Sequence, residues 1–230
     1  MTERVKSSII LTESEHTLKG GGTMLIERIK ETYKSNEPIF TEELLRLFPD
    51  YSRVQVFRMI NAAVKQGELI KYAKGIYYIP QKTRFGNSTI TADDVIKKRY
   101  LKNDSNVYGV YSGIKLLNAF SVTTQMAGVV EVVTNNESAK YREVKIGNRR
   151  CVLRRSRCLI DKSNVAAYTV MQLFSEMKKE DKLDESSVQK LKGYIAKEGI
   201  SQNQLFSMAQ VFPARATKMM IGSGIINATF

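Results

Sequence analysis

Between Lys140 and Arg157 the chain carries eight basic side chains, Lys140, Arg142, Lys145, Arg149, Arg150, Arg154, Arg155 and Arg157, against one acid, Glu143. Clustered guanidinium and ammonium groups neutralise phosphates and release condensed counterions, so this run suits the binding of a polyanion. Its alternation of basic and apolar residues leaves a second reading open, a solvated and solubilising strand face. Another constellation lies at helical spacing: Arg53, Gln55, Arg58, Asn61 and Lys65, followed by Lys71, Tyr72 and Lys74 around a Lys74-Gly75 turn. Arg58 is the candidate for a base edge, because a guanidinium matches guanine O6 and N7 in a bidentate way. Gln55 is ambiguous, since a capping interaction with Ser52 competes for its side chain. Lys65, near the helix end, is placed to meet phosphate or only solvent.

Catalytic and metal chemistry finds little to build on. The chain has one histidine, His16, and two cysteines, Cys151 and Cys158. A zinc site takes about four such ligands, so no metal and no cofactor is expected. The cysteines are expected to be reduced strand residues. Gly20-Gly21-Gly22-Thr23 lacks the lysine-serine continuation of a phosphate loop, and Gly222-Ser223-Gly224 is not followed by dinucleotide-binding spacing. Asp93 and Asp94 fall in the first turn of an expected helix, where they compensate the helix dipole. The expectation is a protein that is not an enzyme.

The elements that must position these residues are legible from about residue 24. At 230 residues with 43% hydrophobic content the chain can bury real cores, and two compact units are expected. No apolar run approaches the roughly 18 residues of a membrane span, so no membrane association and a cytoplasmic location are expected. Residues 1–23 have no sustained period and read as a flexible tail. The purine-rich codons of Lys-Gly-Gly-Gly ahead of Met24 raise Met24 as an alternative start. Leu25, Ile29 and Tyr33 form one helical stripe that Asn36 and Pro38 end. Thr41 is expected to cap a second helix with Glu42 and Glu43 in its first turn, and Ser52 with Gln55 forms a capping box for a third helix ending at Gly67. Leu69–Tyr72 and Ile76–Ile79 then read as a hairpin. Helix, short strand, helix, helix and hairpin over residues 24–82 is the order of a winged helix-turn-helix, in which Lys71, Tyr72 and Lys74 reach backbone phosphate or the minor groove. The alternative for such a module is a protein-interaction role. On the third helix Val56, Ile60, Ala63 and Val64 share one side, with Phe57 at the margin, and Val54, Gln55, Arg58, Asn61, Ala62 and Lys65 share the other.

After a polar joiner at 81–89, residues 83–180 read as a basic α+β domain. Its expected parts are a helix capped by Thr91, a helix capped by Ser112, a strand at Val129–Thr134, a hairpin about Gly147-Asn148 and a helix containing Val165, Tyr168, Val170, Met171 and Phe174. Residues 181–230 read as C-terminal helices, with Met208, Met219, Met220, Phe206 and Phe212 as packing groups. The fold class expected is α+β: a winged helix-turn-helix, a basic α+β domain and C-terminal helices. The net charge of +13 sits mostly in the second unit.

Over about residues 37–178 this order of modules resembles the AbiEi family of antitoxins from type IV toxin–antitoxin (abortive infection) systems. Tyr111, Ser112, Gly113, Leu116, Leu117, Thr123, Thr124, Gln125 and the strand ending Thr134-Asn135 carry the resemblance. It implies a winged helix that binds inverted repeats in its own promoter and represses the operon. It also implies an antitoxin domain that neutralises a nucleotidyltransferase-like toxin, with or without stable contact. Two other readings stay open: a stand-alone winged-helix regulator with an effector-sensing second domain, and an RNA-binding factor that uses the basic hairpin.

Overall fold

A computed structural model describes residues 24–226 and divides the chain into two units between Val95 and Ile96. The expected tail at 1–23, with His16, lies outside the described residues. The division falls later than residue 82, because the 81–89 segment is structured with the first unit. The protein is α+β, and no helix among the described residues is long and apolar enough to cross a membrane.

The first unit begins with helix α1 over 24–32, whose Leu25, Ile26 and Ile29 are buried. Asn36 then takes a left-handed φ of 61° and donates its amide to the Ile79 carbonyl, which turns the chain into β1 (Ile39–Phe40). Helix α2 (Thr41–Leu47) follows at once. Thr41 does not cap it: the cap position is Phe40, whose amide is bonded by the Glu43 carboxylate at 2.8 Å. The Thr41 amide and hydroxyl instead donate to the Gly75 carbonyl at 3.0 and 3.3 Å, tying a distant hairpin tip to the start of α2. Helix α3 (Arg53–Lys65) carries the expected capping box. Ser52 N donates to Gln55 Oε1 at 2.9 Å, and Ser52 Oγ accepts from Gln55 N at 3.3 Å. Gly67, at φ 72°, ends the helix by letting the amides of Glu68 and Leu69 reach the Ala63 carbonyl.

Strands β2 (Ile70–Ala73) and β3 (Ile76–Tyr78) form the hairpin, and β1 pairs antiparallel to β3, giving the sheet order β1-β3-β2. Gly75 has φ 74°, and the register slips between Lys71 and Ala73, so Tyr72 sits in a bulge. The segment read as a polar joiner is a second, small hairpin, β4 (Lys82–Thr83) with β5 (Gly86–Asn87), leaving Phe85 fully exposed at its tip. Thr83 Oγ donates to the Gly86 carbonyl and accepts from Phe85 N, so side-chain hydrogen bonds shape this turn where apolar alternation is missing. Ser88 anchors it, exchanging hydrogen bonds with Gln81 and accepting one from the Tyr78 hydroxyl. It therefore leaves from the end of β3 opposite the Lys74-Gly75 tip.

Helix α4 (Ala92–Ile96) is opened by Thr91, whose amide donates to Asp94 and whose hydroxyl accepts from the Asp94 amide. It runs on into a π-helical turn over Lys97–Leu101, closed by Lys102 N donating to the Lys97 carbonyl at 2.9 Å. The second unit is built on a mixed sheet ordered β6-β7-β9-β8. These are β6 (Gly109–Ser112), β7 (Val130–Thr134), β8 (Arg142–Ile146) and β9 (Arg149–Arg155), with only β7 and β9 parallel. Helix α5 (Gly113–Ala119) follows β6 directly. Helix α6 (Val165–Glu176) lies at the centre of one core with Val110, Val133, Leu116 and Phe120. The helices α7 (Glu185–Lys197), α8 (Gln202–Ala209) and α9 (Ala214–Gly222) complete the same core through Leu191, Leu205, Met208, Phe212 and Met220. Phe206, by contrast, is exposed. Cys151 is a buried strand residue, whereas Cys158 lies in the loop after β9, and both are free thiols.

Close packing leaves no room beside the edge strand β6. A Cβ on Gly109 would overlap the Tyr100 carbonyl oxygen and lie 2.8 Å from that of Val133, both backbone atoms. Gly109→Ala is expected to cost about 2–3 kcal/mol or more, read as a lower denaturation midpoint in urea. An unchanged midpoint would contradict the described packing of the π turn on β6.

Candidate functional site

Burial of one side of α3 decides what the other side presents. Val56, Met59, Ile60 and Ala63 are buried, while Arg53, Val54, Gln55, Arg58, Asn61 and Lys65 are exposed. Met59 joins the buried side, which the helical projection had left out. Gln55 spends its Oε1 on the Ser52 amide and hydroxyl. Arg53 folds back over the Phe57 ring at 5.6 Å, so its guanidinium is partly committed to its own helix. Arg58 and Asn61 have no such commitment among the described residues. Val54, 62% exposed, adds an apolar group suited to a thymine methyl and was not among the residues expected to bind. At the hairpin, Lys71 and Lys74 are exposed, but Tyr72 is half-buried, and burial followed by the nearby Asp94 carboxylate pushes its phenol up from the ordinary value. Tyr72 is thus separated in environment from the two lysines.

The basic run of the second unit is not one surface. Side chains alternate along a strand, and partners directly opposite in an antiparallel pair share a face. Arg142, Arg149 and Arg155 therefore lie on one face of the sheet, and Lys145, Arg150 and Arg154 on the other. Several are also neutralised by carboxylates. Arg142 Nε meets Glu137 at 2.5 Å, Arg150 Nε meets Glu143 at 2.6 Å, and Arg154 meets Glu131 at 2.8 Å and Glu176 at 3.5 Å. Arg157 lies over the Phe212 ring at 5.1 Å. Lys140, Lys145, Arg149 and Arg155 remain exposed without an ion pair among the described residues.

Arg154 lies at the partly exposed edge of a polar knot whose centre, Ser112 and Gln172, is buried. Ser112 Oγ, fully buried, donates to Glu176 Oε1 at 2.5 Å and accepts from Gln172 Nε2 at 3.1 Å, while Gln172 also donates to Glu176 at 2.6 Å. Ser112 was expected to cap α5; its side chain crosses to α6 instead. Gly113 holds φ 57° with the Glu131 carboxylate packed where a Cβ would project. Leu116 is core, Thr134 Oγ donates to the Tyr108 carbonyl, and Asn135 links the strand end to Ser156 and Ile160. Most of the motif residues singled out in the sequence are thus the frame of this unit. Thr124 and Gln125 alone among them are exposed, in the loop before β7.

No group of three or more His, Cys, Asp or Glu among the described residues could hold a metal. The chain matches, over residues 26–203, a family described as a family of unknown function (DUF6088), and it belongs to that family. A search of curated proteins finds no match.

Among the described residues Glu137 is the one acid whose burial is nearly complete. Burial alone would raise its carboxyl, but the amides of Ala139 and Ser138 and the Arg142 guanidinium overcome that and hold it below the usual 4.5. A lowered folded value contributes stability that is complete above the unfolded value and lost as pH falls through the folded one. Glu137→Gln is therefore expected to flatten the acid limb of a stability-against-pH curve below 4.5 and to leave its slope at neutral pH unchanged. A parallel acid limb would contradict this role.

Proposed function

We propose that the first unit is a winged helix-turn-helix that reads DNA, and that the protein represses its own operon as the antitoxin of a type IV toxin–antitoxin system. The observation that carries the DNA reading is the exposed side of α3. It carries Val54, Arg58 and Asn61 together, with Lys65 at the helix end and exposed Lys71 and Lys74 on the adjoining hairpin. In this reading α3 enters the major groove and Arg58 specifies a guanine. The lysines hold phosphate and set register without selecting sequence. The Thr41 bonds to Gly75 matter to it because they fix the hairpin tip, and with it Lys74, relative to α2.

The antitoxin part rests on the resemblance carried by Ser112, Gly113, Leu116, Thr134 and Asn135. These residues frame the second unit, and the reading leaves the toxin-facing surface unassigned. Neutralisation of a nucleotidyltransferase-like toxin then falls to the second unit, by contact or through a shared target. No step of catalysis is assigned to this chain.

Two substitutions separate specificity from affinity. Arg58→Ala is expected to cost about 1–3 kcal/mol of discrimination between the operator and random DNA. Lys74→Ala is expected to weaken both duplexes alike and to shallow the dependence of log affinity on log salt by about one. Fluorescence anisotropy titrations at several salt concentrations check both. Wild-type behaviour of both variants would place the DNA contact elsewhere.

A further inference from the structure

The second unit contains a cleft of about 670 Å³ that none of the preceding reading uses. Its volume falls within the range of roughly 300–1,000 Å³ typical of small-molecule sites. The edge strand β6, the π turn and helices α5, α6 and α7 surround it. Leu101, Val110, Leu116 and Phe120 supply an apolar floor that continues into the core. Around this floor stand Lys97, Lys102, Lys115 and Lys190, and no acidic residue is among the described residues lining it.

The four lysines come from three separate elements, so their convergence is a product of the fold. Residues five apart diverge by about 140° on an α-helix. The π turn between Ile96 and Lys102 changes that relation: Lys102 N bonds back to the Lys97 carbonyl, and both residues front the same cleft. Single π turns of this kind recur at functional sites. Lys115 lies 4.1 Å from the centre of the Tyr111 ring, which holds its ammonium over a cleft wall. Lys190 Nζ is 2.5 Å from Ser121 Oγ, which orients it with further N–H donors to spare. Four cations around an apolar floor complement a molecule of opposite charge with an apolar body. We infer that the cleft binds a small organic anion, its carboxylate, sulfonate or phosphate held by the lysines and its aromatic or aliphatic body seated on Leu101, Val110 and Phe120. This does not depend on the DNA reading of the first unit.

The test uses the full chain and two fluorescent probes that share one apolar body. These are 8-anilinonaphthalene-1-sulfonate, which is anionic, and N-phenyl-1-naphthylamine, which is neutral. Saturable binding of the anion at one site per chain is expected. Lys97→Gln with Lys102→Gln, both exposed positions, should weaken the anion by about tenfold and leave the neutral probe and the thermal midpoint unchanged. Ala119→Trp, at an exposed wall position, should reduce binding of both probes by filling the space. The inference is overturned if the wild type shows no saturable anion binding. It is equally overturned if the lysine variant binds the anion as tightly as the wild type, or if the tryptophan variant retains both probes.

Discussion

Helix α3 has to bury Val56, Met59, Ile60 and Ala63 against α1, α2 and the small sheet, since these side chains are the middle of the first unit's core. With 3.6 residues per turn, that requirement turns Val54, Arg58, Asn61 and Lys65 outward together. The polar side is therefore a consequence of the core. The rest of the unit holds this arrangement: Ser52 and Gln55 fix where the helix begins, Gly67 fixes where it ends, and Thr41 ties the following hairpin to α2. A single helix is both the keystone of this core and the surface proposed to read DNA.

The second unit depends on a different device. Ser112, Gln172, Glu176, Arg154 and Glu131 join β6, α6, β9 and β7 through bonds that are satisfied within the group. Ser112 and Gln172 are buried, so removing the Glu176 carboxylate would leave their polar atoms uncompensated, a larger penalty than the bonds themselves contribute, whereas Arg154 and Glu131 keep access to water. The knot explains why Ser112 and Gly113 occur side by side: one supplies a hydroxyl to α6 and the other makes room for Glu131. The same β6 strand frames the cleft, so the knot also fixes one of its walls, and an organic anion seated there would make this unit a sensor.

Much of the first unit was legible because helix period and capping chemistry are local. The Ser52–Gln55 box, the Gly67 stop, the Lys74-Gly75 turn and the outward side of α3 all follow from neighbouring residues. Thr41 was misread because its partner, Gly75, is far along the chain, and a free hydroxyl at a helix start reads as a cap. The 81–89 hairpin escaped because it lacks apolar alternation and is shaped by Thr83 and Ser88 side chains. The basic run was legible as charge but not as a surface. Strand alternation divides it, and Glu131, Glu137 and Glu176, which neutralise parts of it, come from other elements. The cleft was illegible for the same reason, since its lysines meet only after the π turn, α5 and α7 have packed.

The central claim is that the first unit reads a particular DNA sequence. Its most direct test is a titration of the duplex immediately upstream of the gene against a shuffled duplex of equal length, at two salt concentrations, by fluorescence anisotropy. A preference for the native duplex that persists at the higher salt is expected, because base contacts outlast the screening of phosphate contacts. Equal affinity for both duplexes, lost together as salt rises, would mean that the net charge of +13 only attracts polyanions, and would contradict the account.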